Sequence, residues 1–491
     1  MGVKRWARKP GPIKNDLVKS VDDQDDLALS AFLDSKRIKL LSRARYSAGP
    51  KERAHGKRYW RKLKTKYLKI LKGPRGYKRR IIPNSAAIMF RPKPNLIRDA
   101  LTPNFIETWV PMSRRLTYST AKILKLSDFS FAKDPNGTLT CLADLATASA
   151  KFPDLRLNFA DTDCHDVAPY IVLAHLTPAL PPIISGGEIT DEVRDVIEAV
   201  GLRQDLRIGQ MGKRRRAPTY IVSPFPLMKR TPPGHFGDRD HLLRPQLKEY
   251  VADQFVNTMN DWLRGHELEL QPAGEGAFAS AIGEALDNAE RHGSSAFSQS
   301  EGDWSIAGFS KLVFLDGTPL LRCSLAIVSI GDTISQTLGS AAPEIASRID
   351  SYVSKHTPLF KPGQKAEALR CVMALQDGIT RVEAATAGRR GGVGFMELVD
   401  VLSVLGDNNR EDLPSTLTIV SGRSCIQITA PYARGHSDES GMRELWFNDD
   451  NDPEQPPSNQ HVTTLDNSFP GVILSACFTI DPTILRAKLE S

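Results

Sequence analysis

Residues 281–293 read AIGEALDNAERHG, and the spacing of their polar residues decides the fold that the sequence predicts. Glu284, Asp287 and Asn288 stand at positions i, i+3 and i+4, so they project from one face of a predicted helix. Carboxylate and amide oxygens on one face can bind Mg²⁺ with its waters, and a carboxylate not tied to the metal can accept a proton from water. Amphipathic helices also turn polar residues toward solvent, so solvation is the alternative interpretation.

The composition is that of an ordinary globular protein. Its 491 residues, of which 41% are hydrophobic and 25% charged, are enough for two or three domains. A membrane span is not expected, because no stretch of about 18 apolar residues occurs, and the N-terminus lacks the apolar segment of a secretory signal. The six cysteines are widely spaced without a CxxC pair, which favours reduced thiols in the cytoplasm over disulfides or a zinc site.

The net charge of +8 is unevenly distributed along the chain. Residues 1–80, the basic head, contain 25 Lys and Arg against 7 Asp and Glu, whereas the rest of the chain carries 40 against 50. Within the head, residues 57–73 (KRYWRKLKTKYLKILKG) predict a helix with one apolar side and lysines around the rest. Such a helix can bind nucleic acid, an anionic membrane or a protein partner, or it can pack on its own domain.

Residues 100–235 predict a small α/β domain followed by a basic linker, MGKRRRAPTY (211–220). TLTCLADLATASAKF (138–152) predicts a strand that runs into a helix, and residues 154–176 predict another strand and helix. The topology resembles the STAS-like domains of regulatory proteins. The second strand-to-helix loop lacks the ligand spacing of metal motifs, so no metal site is expected there. Its polar residues are Asp161, Asp163, Cys164, His165 and Asp166.

Three segments follow the helix at 281–293. LRCSLAIVSIGDTISQTL (321–338) predicts an apolar strand, a glycine turn and a helix. TAGRRGGVGFMELVDVLSVLG (386–406) places glycines just before an apolar helix, where free backbone N–H groups and the helix dipole favour phosphate. TLTIVSGRSCIQI (416–428) predicts a hairpin of two strands with Ser421 and Gly422 at the turn.

In this order the motifs resemble those of the GHKL superfamily, the ATP-binding domain shared by gyrase, Hsp90, histidine kinases, MutL and anti-sigma-factor serine kinases. EALDNAERHG resembles the N box, IVSIGDTI the G1 box and RGGVGF the G2 box, while FPGVILSACFTI (469–480) resembles the strand that closes the family's sheet. The resemblance covers about residues 240–480. It implies a Bergerat-type α/β sandwich, in which a mixed sheet packs on helices.

The resemblance also implies roles for individual residues. Asn288 would coordinate Mg²⁺, Glu284 would orient or deprotonate water, and the loop at 339–387 would close over ATP as a lid. Ser329 stands where the family has an aspartate that reads adenine, and Thr333 replaces a glycine, so base selectivity is open. The catalytic residue would be Glu284 and the metal ligand Asn288. The residues implied to bind the cofactor are Asp287, Asn288, Ser329, Gly331, Thr333, Gly391, Gly392, Gly394 and Ser421.

The sequence thus predicts a basic arm and helical segment (1–99), a small α/β domain (100–235) and a GHKL-like ATP-binding domain (236–491). The expected function is a Mg²⁺-dependent ATP-binding protein, a slow ATPase that acts as a nucleotide-gated switch and dimerises with nucleotide. The alternatives are a protein serine kinase of the anti-sigma type and a non-catalytic module that binds nucleic acid through the basic head. A histidine kinase is not expected, because only 47 residues separate His241 from Asn288, too few for a dimerisation hairpin.

Overall fold

The computed structural model describes residues 95–102, 122–151, 155–180, 184–208, 221–230, 248–292, 303–339, 341–357, 366–376, 394–406, 415–429, 436–437 and 443–490. The helix predicted at 57–73, the linker at 211–220, His241, Gly391 and Gly392 lie outside these residues.

The secondary-structure elements of the described residues are labelled in chain order. The helices are α1 (Leu96–Leu101), α2 (Pro135–Lys151), α3 (Ala168–Leu176), α4 (Asp191–Ala199), α5 (Lys248–Arg264), α6 (Pro272–His292), α7 (Ile334–Leu338), α8 (Pro343–His356), α9 (Ala366–Ala374), α10 (Gly394–Leu405) and α11 (Pro482–Glu490). The strands are β1 (Lys122–Leu126), β2 (Leu155–Phe159), β3 (Ile184–Ile189), β4 (Val222–Lys229), β5 (Asp303–Leu315), β6 (Thr318–Ile330), β7 (Thr416–Thr429), β8 (His436–Ser437), β9 (Arg443–Glu444) and β10 (Val462–Ile480).

A parallel sheet in the order β1-β2-β3, together with α1 to α4, forms what we term the three-stranded unit. Its central strand β2 alternates buried Leu155, Leu157 and Phe159 with partly exposed polar residues. Parallel strands need a crossover connection, and α2 and α3 supply the two crossovers while packing on the buried face. The strand and helix predicted over residues 154–176 are therefore confirmed.

The strand predicted at the start of 138–152 is wrong, because residues 138–151 lie within α2. Leu139 and Leu142 recur at helical spacing and are fully buried, so the apolar period of this stretch is that of a helix. The strand that pairs with β2 is β1, which lies upstream.

The second sheet has the order β4-β5-β6-β10-β7, and each of its strand pairs is antiparallel. β5 and β6 form a hairpin whose turn residues Asp316 and Gly317 have φ angles of 51° and 80°, as a two-residue hairpin turn requires. The mixed sheet expected for this half is not seen among the described strands, because β10 inserts between β6 and β7 and runs against both. β4 precedes residue 235, the predicted end of the small α/β domain, yet it pairs with β5.

β7 is a single long strand, not the hairpin predicted with Ser421 and Gly422 at its turn. Gly422 has a φ angle of 60°, and the buried alternation changes sides there: Leu417 and Ile419 face the helices before it, and even-numbered residues face them after it. The glycine therefore interrupts the alternation of β7, whereas the extra residues of the pairing lie on β10, where residues 464–472 stand opposite residues 421–424.

Helices cover one face of the five-stranded sheet, and the three-stranded unit covers the other. Leu325 and Ile327 of β6 belong to a core shared with α5, α6, α9 and α10, whereas Ala326 and Val328 belong to a core shared with α2 and α3. Residues 325–328 of β6 (LAIV) form a continuous apolar run, as expected where both faces of a strand are buried. The α/β class is confirmed. Among the described residues, none of the helices combines the length and apolar character that crossing a bilayer demands.

Candidate functional site

A row of side chains crosses the five-stranded sheet close to the end of β6. Trp304 of β5 lies opposite Ser329 of β6. Val472 of β10 lies opposite Ser329 on one side and opposite Ser421 of β7 on the other. Directly opposed residues share a face, and both Trp304 and Val472 contribute to the core under the helices. The sheet row, as we term these four residues, thus unites the predicted site residues Ser329 and Ser421 beneath the helical layer.

Hydrogen bonds within the protein already use the hydroxyl groups of the sheet row. Ser421 Oγ accepts from the Ile334 amide at 2.8 Å and donates to the Gly471 carbonyl at 3.0 Å. Since a hydroxyl has one proton, Ser421 cannot donate to a ligand without losing the second bond, and it serves to fix the start of α7 on the sheet. Ser329 Oγ donates to the Val472 carbonyl over 3.5 Å, a long bond that costs little to exchange.

The turn after β6 ends in a capping box. Thr333 Oγ1 accepts from the Gln336 amide at 3.2 Å, and the Gln336 side chain accepts from the Thr333 amide at 2.7 Å. These reciprocal bonds satisfy two free N–H groups at the start of α7. Thr333 is therefore a helix cap in this structure. Gly331, within the same turn, is held by its amide at 3.4 Å from the Pro470 carbonyl.

Helix α6 carries the predicted site residues Glu284, Asp287 and Asn288. Glu284 is partly buried, and Asn288 is exposed. The Asp287 carboxylate forms an ion pair with Lys248 Nζ at the start of α5. This pair joins α5 to α6, so Asp287 makes a structural contact, while Glu284 and Asn288 lie one turn apart on the same helix.

Glu290 is a site neighbour that the sequence analysis missed. Its Oε1 accepts from Trp304 Nε1 at 3.1 Å, and Arg230 Nε lies 3.5 Å from the same oxygen. Because Trp304 belongs to the sheet row, this contact holds the C-terminal half of α6 over β5, next to Ser329. A fully buried indole needs an acceptor for its N–H group, but spacing alone cannot say which acidic residue supplies it.

Helix α10 begins at Gly394 and packs along α6. Of the three glycines predicted to bind phosphate, the structure describes Gly394. Gly391 and Gly392 lie outside the described residues. The segment 339–387, expected to be a lid loop, contains α8 and α9. Both helices contribute buried side chains to the core under the helical layer, so the described part of this segment is folded onto the sheet.

The loop after β2 joins the two sheets through the ion cluster, defined here as Asp163, His165, Lys311 and Arg322. Lys311 and Arg322 lie opposite each other on β5 and β6, and both pair with the Asp163 carboxylate, Arg322 at 2.7 Å. Burial and the charge of Arg322 lower the pKa of His165 to about 3, so its neutral ring can accept from the guanidinium, 2.7 Å away. Burial and the same guanidinium also lower the pKa of Lys311.

Two further carboxylates of this loop bind backbone groups. Asp166 is fully buried and accepts from the Phe131 amide at 2.7 Å, the Ala168 amide at 2.8 Å and Ser475 Oγ at 2.8 Å. Burial raises the pKa of Asp166, and these hydrogen bonds oppose the rise. Asp161 accepts from the amides of Asp128 and Phe129, and the neighbouring Cys164 thiol is buried. Within the described stretches, no group of three or more His, Cys, Asp or Glu side chains could hold a metal ion.

The α6 face suits a metal that arrives with phosphates better than a metal caged by protein. Mg²⁺ in phosphate complexes takes one or two protein oxygens and completes its octahedron with phosphate oxygens and water. The exposed Asn288 amide meets that requirement, with the Glu284 carboxylate one turn away. Helix α10 packs along α6, and the backbone N–H groups at a helix N-terminus favour phosphate.

Comparison of the chain with models of known protein families, with curated proteins and with solved structures yields no match in any of the three.

Proposed function

We propose that this chain binds Mg·ATP between the helical layer and the end of β6 in the five-stranded sheet and hydrolyses it slowly, as a nucleotide-gated switch of the GHKL type. The proposal is supported chiefly by one juxtaposition. Helix α6 with Glu284 and Asn288, the sheet row with Ser329, and α10 starting at Gly394 come from distant parts of the sequence and pack together. This juxtaposition supports the arrangement that the resemblance to the GHKL superfamily implies.

The proposed roles follow from the chemistry of each group. The Asn288 amide oxygen would hold Mg²⁺, which neutralises charge that develops on the phosphates. The Glu284 carboxylate would orient the attacking water and accept its proton. Amides at the start of α10 would bind phosphate oxygens. The Ser329 hydroxyl would accept only a weak hydrogen bond from the base, because its side chain is short and uncharged.

Three further proposals concern the setting of the protein. The six free thiols support a reducing compartment, and we place the protein in the cytoplasm. The basic head would bind nucleic acid or an acidic protein partner, with a steep dependence on salt if the ligand is nucleic acid. A homodimer would form when nucleotide is bound.

Isothermal titration with Mg·ATP and Mg·GTP tests the proposal directly. Asn288→Ala is expected to weaken Mg·ATP binding at least tenfold, which corresponds to about 1.4 kcal/mol. The Glu284→Ala variant is expected to bind ATP as the wild type does. A phosphate-release assay on the same variant is expected to show no turnover. Asp253→Asn, which changes an exposed carboxylate on α5, serves as the matched control and should alter neither quantity.

The same samples separate the alternatives. Transfer of the γ-phosphate to protein, instead of its release to water, would indicate a serine kinase. Tight nucleic-acid binding without any heat of ATP binding would indicate a non-catalytic module. Normal turnover by Glu284→Ala would contradict the assignment of the base.

A further inference from the structure

Residues 422–429 of β7 and 462–469 of β10, which pair from Gly422 with Phe469 to Ile426 with Val462, form a ribbon that extends beyond β6. β10 pairs with β6 only from Gly471 onward, whereas it pairs with β7 from Val462. Two register shifts interrupt the β7–β10 pairing, on either side of Phe469. The ribbon therefore carries a local irregularity at the point where it leaves the main sheet.

Helix α9 holds the ribbon from the side of the helical layer. The Glu367 carboxylate in the first turn of α9 accepts from the Arg423 amide at 3.3 Å. A side chain at Gly422 would overlap that carboxylate, and the φ angle of 60° at this residue also favours glycine. The glycine thus allows the Glu367 carboxylate to approach the backbone of β7.

The three-stranded unit holds the ribbon from the opposite side. Asn136 at the start of α2 and Asp466 form reciprocal hydrogen bonds: Asn136 Nδ2 donates to Asp466 Oδ2 at 2.8 Å, and the Asp466 amide donates to Asn136 Oδ1 at 2.9 Å. Asn467 Nδ2 donates to Thr140 Oγ1 at 3.2 Å. Gln427 Nε2 donates to the Ala132 carbonyl at 3.1 Å.

Arg423 connects the two sides. Its backbone amide binds Glu367, while its side chain donates to the Leu465 carbonyl at 2.9 Å and to the Asp466 carbonyl at 2.7 Å. Asp466 in turn binds Asn136. A continuous set of hydrogen bonds therefore runs from α9 through the ribbon to α2, with no step longer than 3.3 Å.

We propose that this ribbon couples α9 to the three-stranded unit, so that a displacement of Glu367 alters the anchorage of Asn136 at the start of α2. In the sequence, α9 lies between the two glycine motifs of the candidate nucleotide site, IVSIGDTI and RGGVGF. Mg·ATP is therefore the ligand expected to displace Glu367. Only that identity of the ligand rests on the proposed function. The coupling itself depends on the hydrogen bonds described above, and it is reciprocal, as any equilibrium coupling must be.

Hydrogen exchange with mass spectrometry tests the coupling without nucleotide. Glu367→Ala removes one charge-assisted bond, so amides in residues 136–144 of α2 are expected to exchange about fivefold faster. Asn136→Ala should in turn speed exchange in α9 by a similar factor. Glu344→Ala, an exposed acidic residue in the first turn of α8, is the control and should leave both segments unchanged. The proposal would be overturned if Glu367→Ala speeds exchange in β7 but not in α2, and if Asn136→Ala leaves exchange in α9 unchanged.

A second arm adds Mg·ATP to the wild-type protein and to Asn136→Ala, with binding checked by titration calorimetry. If ATP binds, exchange should change in both α9 and α2 of the wild type but only in α9 of the variant. An ATP-induced change confined to α9 in the wild type would contradict the coupling. If calorimetry shows no ATP binding, the proposed function fails, and the variants without nucleotide still decide the coupling.

Discussion

Gly471 is the position where a single methyl group should do most damage to the sheet row. It has a φ angle of 117° and lies opposite Ile330 of β6. A Cβ atom at this position would lie 2.9 Å from the Ile330 Cα and closer still to the Ser329 carbonyl oxygen. Both neighbours are backbone atoms, so no side-chain rotation can relieve the overlap, and β10 must separate from β6.

The expected cost of Gly471→Ala has two parts. A left-handed backbone conformation costs a non-glycine residue about 1–2 kcal/mol. Overpacking that shifts the backbone adds about 1–3 kcal/mol. We therefore expect Gly471→Ala to lower the free energy of unfolding by about 4 kcal/mol. Gly317→Ala is the matched control: its φ angle is 80°, but a Cβ there meets no atom within 4 Å, so only the backbone part of about 1 kcal/mol applies.

Urea unfolding followed by tryptophan fluorescence measures both variants. We expect the free energies of unfolding of the two variants to differ by about 3 kcal/mol. If Gly471→Ala costs no more than Gly317→Ala, β6 and β10 do not approach each other as described, and the position assigned to Ser329 is wrong.

Two further predictions concern buried charge. Burial lowers the pKa of His175 from 6.5 to about 4, so the unfolded chain binds a proton that the folded protein excludes. The contribution of His175 to the free energy of unfolding should be fully present above pH 6.5 and should fall by about 3 kcal/mol as the pH drops to 4. Urea unfolding across that range should show a smaller loss of stability in His175→Gln than in the wild type. An equal loss in both proteins would refute the assignment. Asp163→Asn leaves Lys311 buried beside Arg322 without its carboxylate and should lower the free energy of unfolding by about 3 kcal/mol. Adding Lys311→Met should restore most of that loss, and a double variant no more stable than Asp163→Asn would show that the ion pair is not the cause.

Local periodicity predicted those parts of the fold whose neighbours are close in sequence. The strand and helix over 154–176, the long helix around 281–293 and the strand, turn and helix over 321–338 follow from apolar spacing and turn residues within each segment. The same reasoning failed at 138–152 and at 416–428. There β-compatible threonines lie in the first two turns of a helix, and a glycine that suggests a turn lies within one continuous strand.

The candidate site was only partly predictable, because its contacts join segments far apart in sequence. Spacing placed Glu284 and Asn288 on one helix face, but it could not show that Asp287 pairs with Lys248. Nor could it show that Glu290 binds Trp304, since such pairs depend on how α6 packs against the sheet. Thr333 is read in the sequence as a departure from a glycine motif, whereas in the structure it caps α7.

The proposed function requires nucleotide to bind where α6, the sheet row and the start of α10 meet. A crystal structure of the protein with Mg²⁺ and a non-hydrolysable ATP analogue tests this claim most directly. We expect Mg²⁺ about 2.1 Å from the Asn288 side-chain oxygen, phosphates at the amides that begin α10, and the base next to Ser329. Nucleotide bound elsewhere on the chain, or an Asn288 side chain directed away from the metal, would contradict it.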